Sequence, residues 1–441
     1  MQHATHKIPG LHITEHTFVV PLDYGDPAGQ QIQVFCRVIQ SEADAEMGVT
    51  SPFLVFLQGG PGFYAPRPAN DSGWLGLALK THTVLMLDER GTGRSTPVTA
   101  RTLARVGDAS AQSRYLMCFR ADSIVQDCER VRRKLVGETA KWSVLGQSYG
   151  GFCAVHYLSV APTSLSQVFL TGGLPPIEAT AQDVYRATFA SCERRNREFY
   201  QRYPEDVHRI QQIAKRLAQG DVYLPSGDLF TVQRLQTIGI LLGTSDGFEE
   251  LHYLVEHAFA DGEQGMGPAA GVHQPELSFL FLRGFENALN YDTNPIYSLL
   301  HEACYTQEVA SDWAAEGERS AWPGFQWAGP DDERPVGLTG EMIFPWFFDE
   351  MGALSPLSEV ANLLARERGW PRLYSTDKLA ENAVPVAAAV YTGDMYVDFE
   401  LSKAAAALIA GIQLWCTPDY EHNGLRADGE KVLGKLMELL K

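Results

Sequence analysis

Four short apolar runs, each ending at a glycine turn, constrain the fold of this chain more than any other feature. Phe53-Leu54-Val55-Phe56-Leu57 stops at Gly59-Gly60-Pro61-Gly62, and Thr83-Val84-Leu85-Met86-Leu87 stops at Asp88-Glu89-Arg90-Gly91-Thr92-Gly93. Trp142-Ser143-Val144-Leu145 leads into Gly146-Gln147-Ser148-Tyr149-Gly150, and Gln167-Val168-Phe169-Leu170 leads into Thr171-Gly172-Gly173. A short apolar run with no polar face to offer to water reads as a parallel strand covered on both sides. Helical patterns lie between the runs, from about Ser123 to Leu135 and from Tyr149 to Val160. That alternation predicts an α/β architecture with a mostly parallel central sheet. Ahead of it, His12 to Leu22 and Ile32 to Ile39 alternate apolar and polar residues, the pattern of an antiparallel hairpin.

From about Pro175 to Trp370 the strand signal disappears. Glu193 to Ala218, Val232 to Leu242 and Phe248 to Ala260 carry apolar residues at helical spacing, and the Gly-rich stretch Asp261 to Pro275 reads as a loop. The strand pattern returns at Val384 to Tyr391 and Ile412 to Trp415, and an amphipathic helix over Gly429 to Leu440 closes the chain. With 441 residues the chain exceeds one ordinary domain. The predicted organisation is a catalytic domain over residues 1–175 and 371–441, interrupted by a mainly helical cap over 176–370.

The formal charge of −18 argues against a nucleic-acid partner, which would need basic patches, and mildly favours cationic ligands. Seven cysteines with no Cys-x-x-Cys pair suit reduced thiols better than a disulfide framework. The opening Met-Gln-His-Ala-Thr-His-Lys lacks the basic-then-apolar run of a signal peptide, and no apolar stretch is long enough for a membrane span. The expectation is a cytoplasmic protein without a membrane partner.

Gly146-Gln147-Ser148-Tyr149-Gly150 matters because of where it lies. A nucleophile on a tight strand-to-helix turn needs a strained backbone, and flanking glycines remove side chains that would clash. Ser148 is therefore the candidate nucleophile of an α/β-hydrolase fold. The amide of Tyr149, at the positive end of the following helix, would face the oxyanion. A second donor comes from the loop after an earlier strand, and the amide of Gly60 fits. The acid and then the histidine should follow in chain order. Among the twelve histidines, His422 alone lies beyond the last predicted strand. The acid is a choice between Asp394 and Asp398, with Asp394 better placed directly at a strand end.

Other patterns carry less. His12-Ile13-Thr14-Glu15-His16 fits an inverted zinc signature, but that signature needs a helix and this segment alternates as a strand. Gly91-Thr92-Gly93-Arg94-Ser95-Thr96 lacks the third glycine of a dinucleotide loop, and the turn reads instead as packing near the site with Arg90 in an ion pair. Cys153 reads as a small buried hydrophobe. The chemistry calls for no metal and no cofactor.

Gly59-Gly60-Pro61-Gly62, Asp88-Glu89-Arg90-Gly91-Thr92-Gly93-Arg94-Ser95 and Gly146-Gln147-Ser148-Tyr149-Gly150-Gly151-Phe152 resemble the proline iminopeptidases (prolyl aminopeptidases), a family of serine peptidases. Thr171-Gly172-Gly173-Leu174-Pro175-Pro176 and Glu421-His422-Asn423-Gly424-Leu425-Arg426 resemble its larger members. The resemblance covers about 10–175 and 380–441 and loosens in the insertion. Gln58 stands where most relatives carry a histidine. The resemblance implies release of an N-terminal proline from short peptides with a free amine. It also implies that acidic residues of the cap bind that amine, and Glu302 and Glu341, both set among apolar and aromatic neighbours, are the candidates. Tyr149, Phe63 and Trp346 are candidates to stack on the pyrrolidine ring. The alternative is an esterase or amidase that uses the same triad on uncharged acyl groups.

Overall fold

The computed structural model describes residues 2–260 and 276–441. The loop expected over Asp261 to Pro275 lies outside the described residues. Nine strands form one sheet in the order β1-β2-β3-β5-β4-β6-β7-β8-β9. They are β1 Gln2–Ile8, β2 Leu11–Pro21, β3 Gln31–Ser41, β4 Phe53–Leu57, β5 Thr83–Asp88, β6 Trp142–Gln147, β7 Leu165–Thr171, β8 Val386–Tyr391 and β9 Gln413–Thr417. β1, β2, β3 and β5 pair antiparallel, and every pair from β5 through β4, β6, β7 and β8 to β9 is parallel. The expected hairpin is β2–β3. β1 extends it by a strand that the alternation from His12 onward did not include.

The parallel strands are apolar on both faces because both faces are covered. On one face Val55, Leu85, Val144 and Val168 pack with Ile124, Val125 and Val155, from the helices Ala121–Leu135 and Tyr149–Val160. On the other, Phe56, Leu145 and Ala387 pack with Leu75 and Leu433, from the helices Gly73–Leu79 and Gly429–Leu439. The register brings Leu57 opposite Gly146 and Gln147 opposite Thr171. The carboxyl ends of β4, β6 and β7 therefore lie side by side, and their loops open onto one edge, where sheets of this kind bind ligands.

Between β7 and β8 the described residues add no strand to the sheet. Helices Ala181–Arg202 and Pro204–Leu217 begin this region, and an aromatic-rich core including Phe189, Phe199, Phe285 and Phe347 fills it. The pattern read over Glu193 to Ala218 is two helices, not one. Pro204 disfavours helical backbone at Tyr203, which turns to φ −125°, ψ 72° and starts the second helix. The pattern over Val232 to Leu242 is helical only to Gln236, after which Thr237–Gly243 tightens into a 3-10 helix. The helix expected to reach Ala260 spans Gly247–Glu256. No helix among the described residues is long and apolar enough to cross a membrane.

Candidate active site

Ser148 sits between β6 and the helix Tyr149–Val160 with φ 54° and ψ −126°, a backbone that side chains other than glycine rarely adopt. The turn is held by the Ser148 amide donating to Thr171 O (3.0 Å) and the Gly151 amide donating to Ser148 O (2.7 Å). The flanking glycines are required by crowding. A Cβ on Gly146 would lie 2.5 Å from Gly150 O, and one on Gly150 would lie 2.1 Å from Leu57 O. The sequence folds this way because only glycine lets the turn press against β4.

Asp394 follows β8 and is 3% exposed. Its Oδ2 lies 2.8 Å from His422 Nδ1, and its Oδ1 accepts the amides of Tyr396 (2.8 Å) and Val397 (3.0 Å). Asp398 is occupied elsewhere: it caps the helix Phe399–Ala407 by accepting the Leu401 amide at 2.9 Å. His422 lies in the turn after β9, with the Tyr396 ring edge-on to it at 4.8 Å. Burial works against a charge on His422, but the adjoining Asp394 and then Glu341 more than offset it, so its pKa is raised above the ordinary 6.5.

A cavity of about 230 Å³ joins these groups. Ser148, His422 and Gly60 line it, as does Glu341. Gly60 has φ +140°. Among the described residues, neither the Gly60 amide nor the Tyr149 amide donates a hydrogen bond to protein. Both donors are thus free for a ligand, and the Tyr149 amide opens a helix. Glu341 Oε1 accepts the Tyr297 hydroxyl at 2.8 Å. Burial, and then the charge of Glu341, push the Tyr297 phenol well above its ordinary value, so it remains a proton donor.

The two expected cap carboxylates part company here. Glu302 does not line this cavity. Its two oxygens accept the amides of Ala314 (3.2 Å) and Ala315 (3.0 Å) at the start of the helix Ala314–Arg319. Burial raises its pKa. It satisfies amides that the helix itself cannot. Of the aromatics expected at the site, Phe63 lines the cavity, Tyr149 is buried against Phe152, and Trp346 packs between Phe344 and Phe347. Tyr291, Tyr297, Tyr396 and Ile240 line it without having been singled out. Tyr396 was open to inference, two residues after Asp394. The others carry no local signal.

The surrounding turns behave as expected of packing elements. Arg90 forms a two-point ion pair with Asp127 at 2.7 Å and donates to the carbonyls of Leu22 and Cys118. Gln58 and Gln147 both face the cavity. Cys153 is fully buried, and burial pushes its thiol well above the ordinary value, as for a small side chain packed in the core. His12 and His16 lie on the strand β2, and no group of three or more potential metal-ligating side chains occurs among the described residues.

A mostly parallel sheet, a strained serine turn between strand and helix, and a His–Asp pair on the following loops define an α/β hydrolase. A family model described as the alpha/beta hydrolase fold matches residues 52–212. A proline iminopeptidase from Aeromonas sobria is 44% identical over 98% of this chain and 97% of its own length. Proline iminopeptidase aneH from Aspergillus aculeatus is 37% identical over 99% of this chain and 95% of its own. Among solved structures, the Mycobacterium smegmatis proline iminopeptidase covers 96% of this chain and 97% of its own, with 13% identity and a TM-score of 0.44. The chain belongs to the proline iminopeptidase family.

Proposed function

We propose that this protein is a serine exopeptidase that releases an N-terminal proline from short peptides. The observation that carries the reading is the single cavity that Ser148 and His422 share with the carboxylate of Glu341. Ser148 Oγ attacks the prolyl carbonyl while His422 takes its proton, and Asp394 fixes the ring and offsets the imidazolium. The oxyanion rests on the amides of Gly60 and Tyr149. His422 then returns the proton to the leaving amine, and water attacks the prolyl-enzyme with His422 again as base. The substrate ammonium pairs with Glu341 in a charge-assisted bond, and the aromatic lining accepts the pyrrolidine ring. None of these steps calls for a metal or cofactor.

The helical region between β7 and β8 supports reading 176–370 as a cap on a catalytic domain of 1–175 and 371–441. The core of that cap also takes in Val98, Leu116 and Phe119 from the catalytic side. The acidic surface favours cationic ligands over nucleic acid, and seven unpaired cysteines suit a cytoplasmic setting.

The test compares a free prolyl-arylamide with its N-acetylated form. The free substrate should turn over at least a hundred times faster, on the order of a desolvated charge left without its partner. Equal rates would reject ammonium recognition and leave an esterase or amidase of uncharged acyl groups.

A further inference from the structure

A second and larger cavity, about 740 Å³, adjoins the first. His422, Gln58, Gln147 and Ala288 line both. The remaining wall of the second cavity includes Trp74, Phe56 and Leu425. The Trp74 ring stacks on Phe56 at 4.7 Å with the planes 24° apart, and Phe56 and Leu425 are themselves buried. An apolar patch therefore lies in the cavity that shares His422 but is not lined by Glu341, with the charged Glu250 and Arg426 also on its wall.

The reaction requires that geometry. The scissile bond must lie where His422 can reach both the Ser148 proton and the leaving nitrogen. The acyl part carries the ammonium and belongs with Glu341 in the smaller cavity. The leaving part must then enter the cavity that shares His422 and lacks Glu341. The segment after His422, which supplies Asn423 and Arg426 to this cavity, is tied to the helical region. Ser245 donates its amide to Asn423 Oδ1 (3.1 Å), and Asp246 pairs with Arg426 (3.3 Å).

We propose that this second cavity binds the peptide beyond the N-terminal proline, and that Trp74 selects an apolar or aromatic side chain at the second residue. The inference rests on the exopeptidase reading and deepens it. A flat aromatic residue flanked by buried apolar side chains gains from covering a ring and gains nothing from a glycine.

The experiment measures kcat/KM for Pro-Phe-amide, Pro-Leu-amide, Pro-Gly-amide and proline methyl ester, on the wild type and on Trp74→Ala and Trp74→Leu. Methanol as leaving group does not reach Trp74, so the ester rate reports an intact catalytic centre, and the variant that keeps it is the one to read. The wild type should favour Pro-Phe-amide over Pro-Gly-amide by about ten-fold or more. The Trp74 variant should reduce that ratio to about two- or three-fold with the ester rate unchanged. A wild type indifferent to the second residue, or a variant that keeps the full preference, would overturn the proposal while leaving the exopeptidase standing. No turnover of any of these free-amine substrates would instead overturn the exopeptidase reading itself.

Discussion

The strand-end loops and the helical region meet in one cavity but reach it by different physics. Ser148, Asp394 and His422 follow β6, β8 and β9, whose ladder of backbone hydrogen bonds fixes where each loop begins. Glu341, Tyr297 and Ile240 come from loops and short helices held by aromatic packing, such as Tyr291 on Phe347 at 4.8 Å. On the proposed function, the first set carries the covalent chemistry and the second chooses what enters. If that division holds, damage to the first set should stop the reaction for every substrate, and damage to the second should depend on the substrate.

The harshest way to break the division is at the sheet. Ser148→Ala should lower kcat on the order of a million-fold for prolyl-arylamides and proline esters alike, with the thermal unfolding transition retained. Asp394→Asn should cost on the order of ten-thousand-fold, because an amide at Oδ2 favours the wrong His422 tautomer. Substantial turnover by either variant, followed by arylamine release, would remove the strand-end loops from the chemistry.

Glu341→Gln is the corresponding cut in the helical region. It should reduce kcat/KM for free prolyl substrates about ten- to a hundred-fold, the range of a charge-assisted bond of about 1.5–3 kcal/mol, and leave N-acetylated substrates at their low rate. The pH profile sharpens this. His422 must be neutral to act as base, and its pKa lies above 6.5, so activity falls as pH drops through that raised value. Glu341 is one of the groups that raise it, so Glu341→Gln should shift the acid limb to lower pH. An alkaline limb near the pKa of an N-terminal amine, about 8, should fade in the same variant, since no carboxylate then demands an ammonium. An acid limb that stays in place would place the Glu341 charge too far from His422 to matter.

The same contrast explains what the sequence made legible. The α/β order, the strand runs and the Ser148 turn could be read because each is local: a short apolar run, a glycine forced by contact with β4, a helix start. His422 and Asp394 could be read because chain order in this fold ties them to strand ends. Glu302 and Glu341 looked alike, each a carboxylate among apolar neighbours. What separates them is whether a helix start arrives to claim the oxygens, and Ala314 and Ala315 do so at Glu302 across a distance in sequence that no pattern spans. The break at Tyr203 was legible in Pro204 but was masked by apolar spacing that continues through it.

Glu302→Ala should therefore behave as a stability lesion. It leaves two buried amides without an acceptor, which costs about 1–3 kcal/mol, while kcat/KM in the folded fraction stays near wild type. Denaturant unfolding beside steady-state rates makes the measurement. A clear loss of kcat/KM with no loss of stability would return Glu302 to the recognition set.

The mildest cut tests whether the helical region aims its carboxylate or merely supplies it. Tyr297 donates to Glu341 Oε1, leaving the other oxygen to meet a ligand. Tyr297→Phe keeps the ring that packs edge-on against Phe63 at 5.3 Å and removes only the hydroxyl. A hydrogen bond to a charged group is worth about 1.5–3 kcal/mol, but the freed oxygen can bind the substrate ammonium or water instead, so the net loss should fall below that range, roughly three- to ten-fold in kcat/KM. The loss should appear in KM more than in kcat, because an aimed carboxylate holds substrate and transition state alike. It should vanish in the Glu341→Gln background, where no charge remains to aim. Equal losses in both backgrounds would mean that Tyr297 touches the substrate itself, and the line between holding and reacting would then run through the aromatic wall rather than at the edge of the sheet.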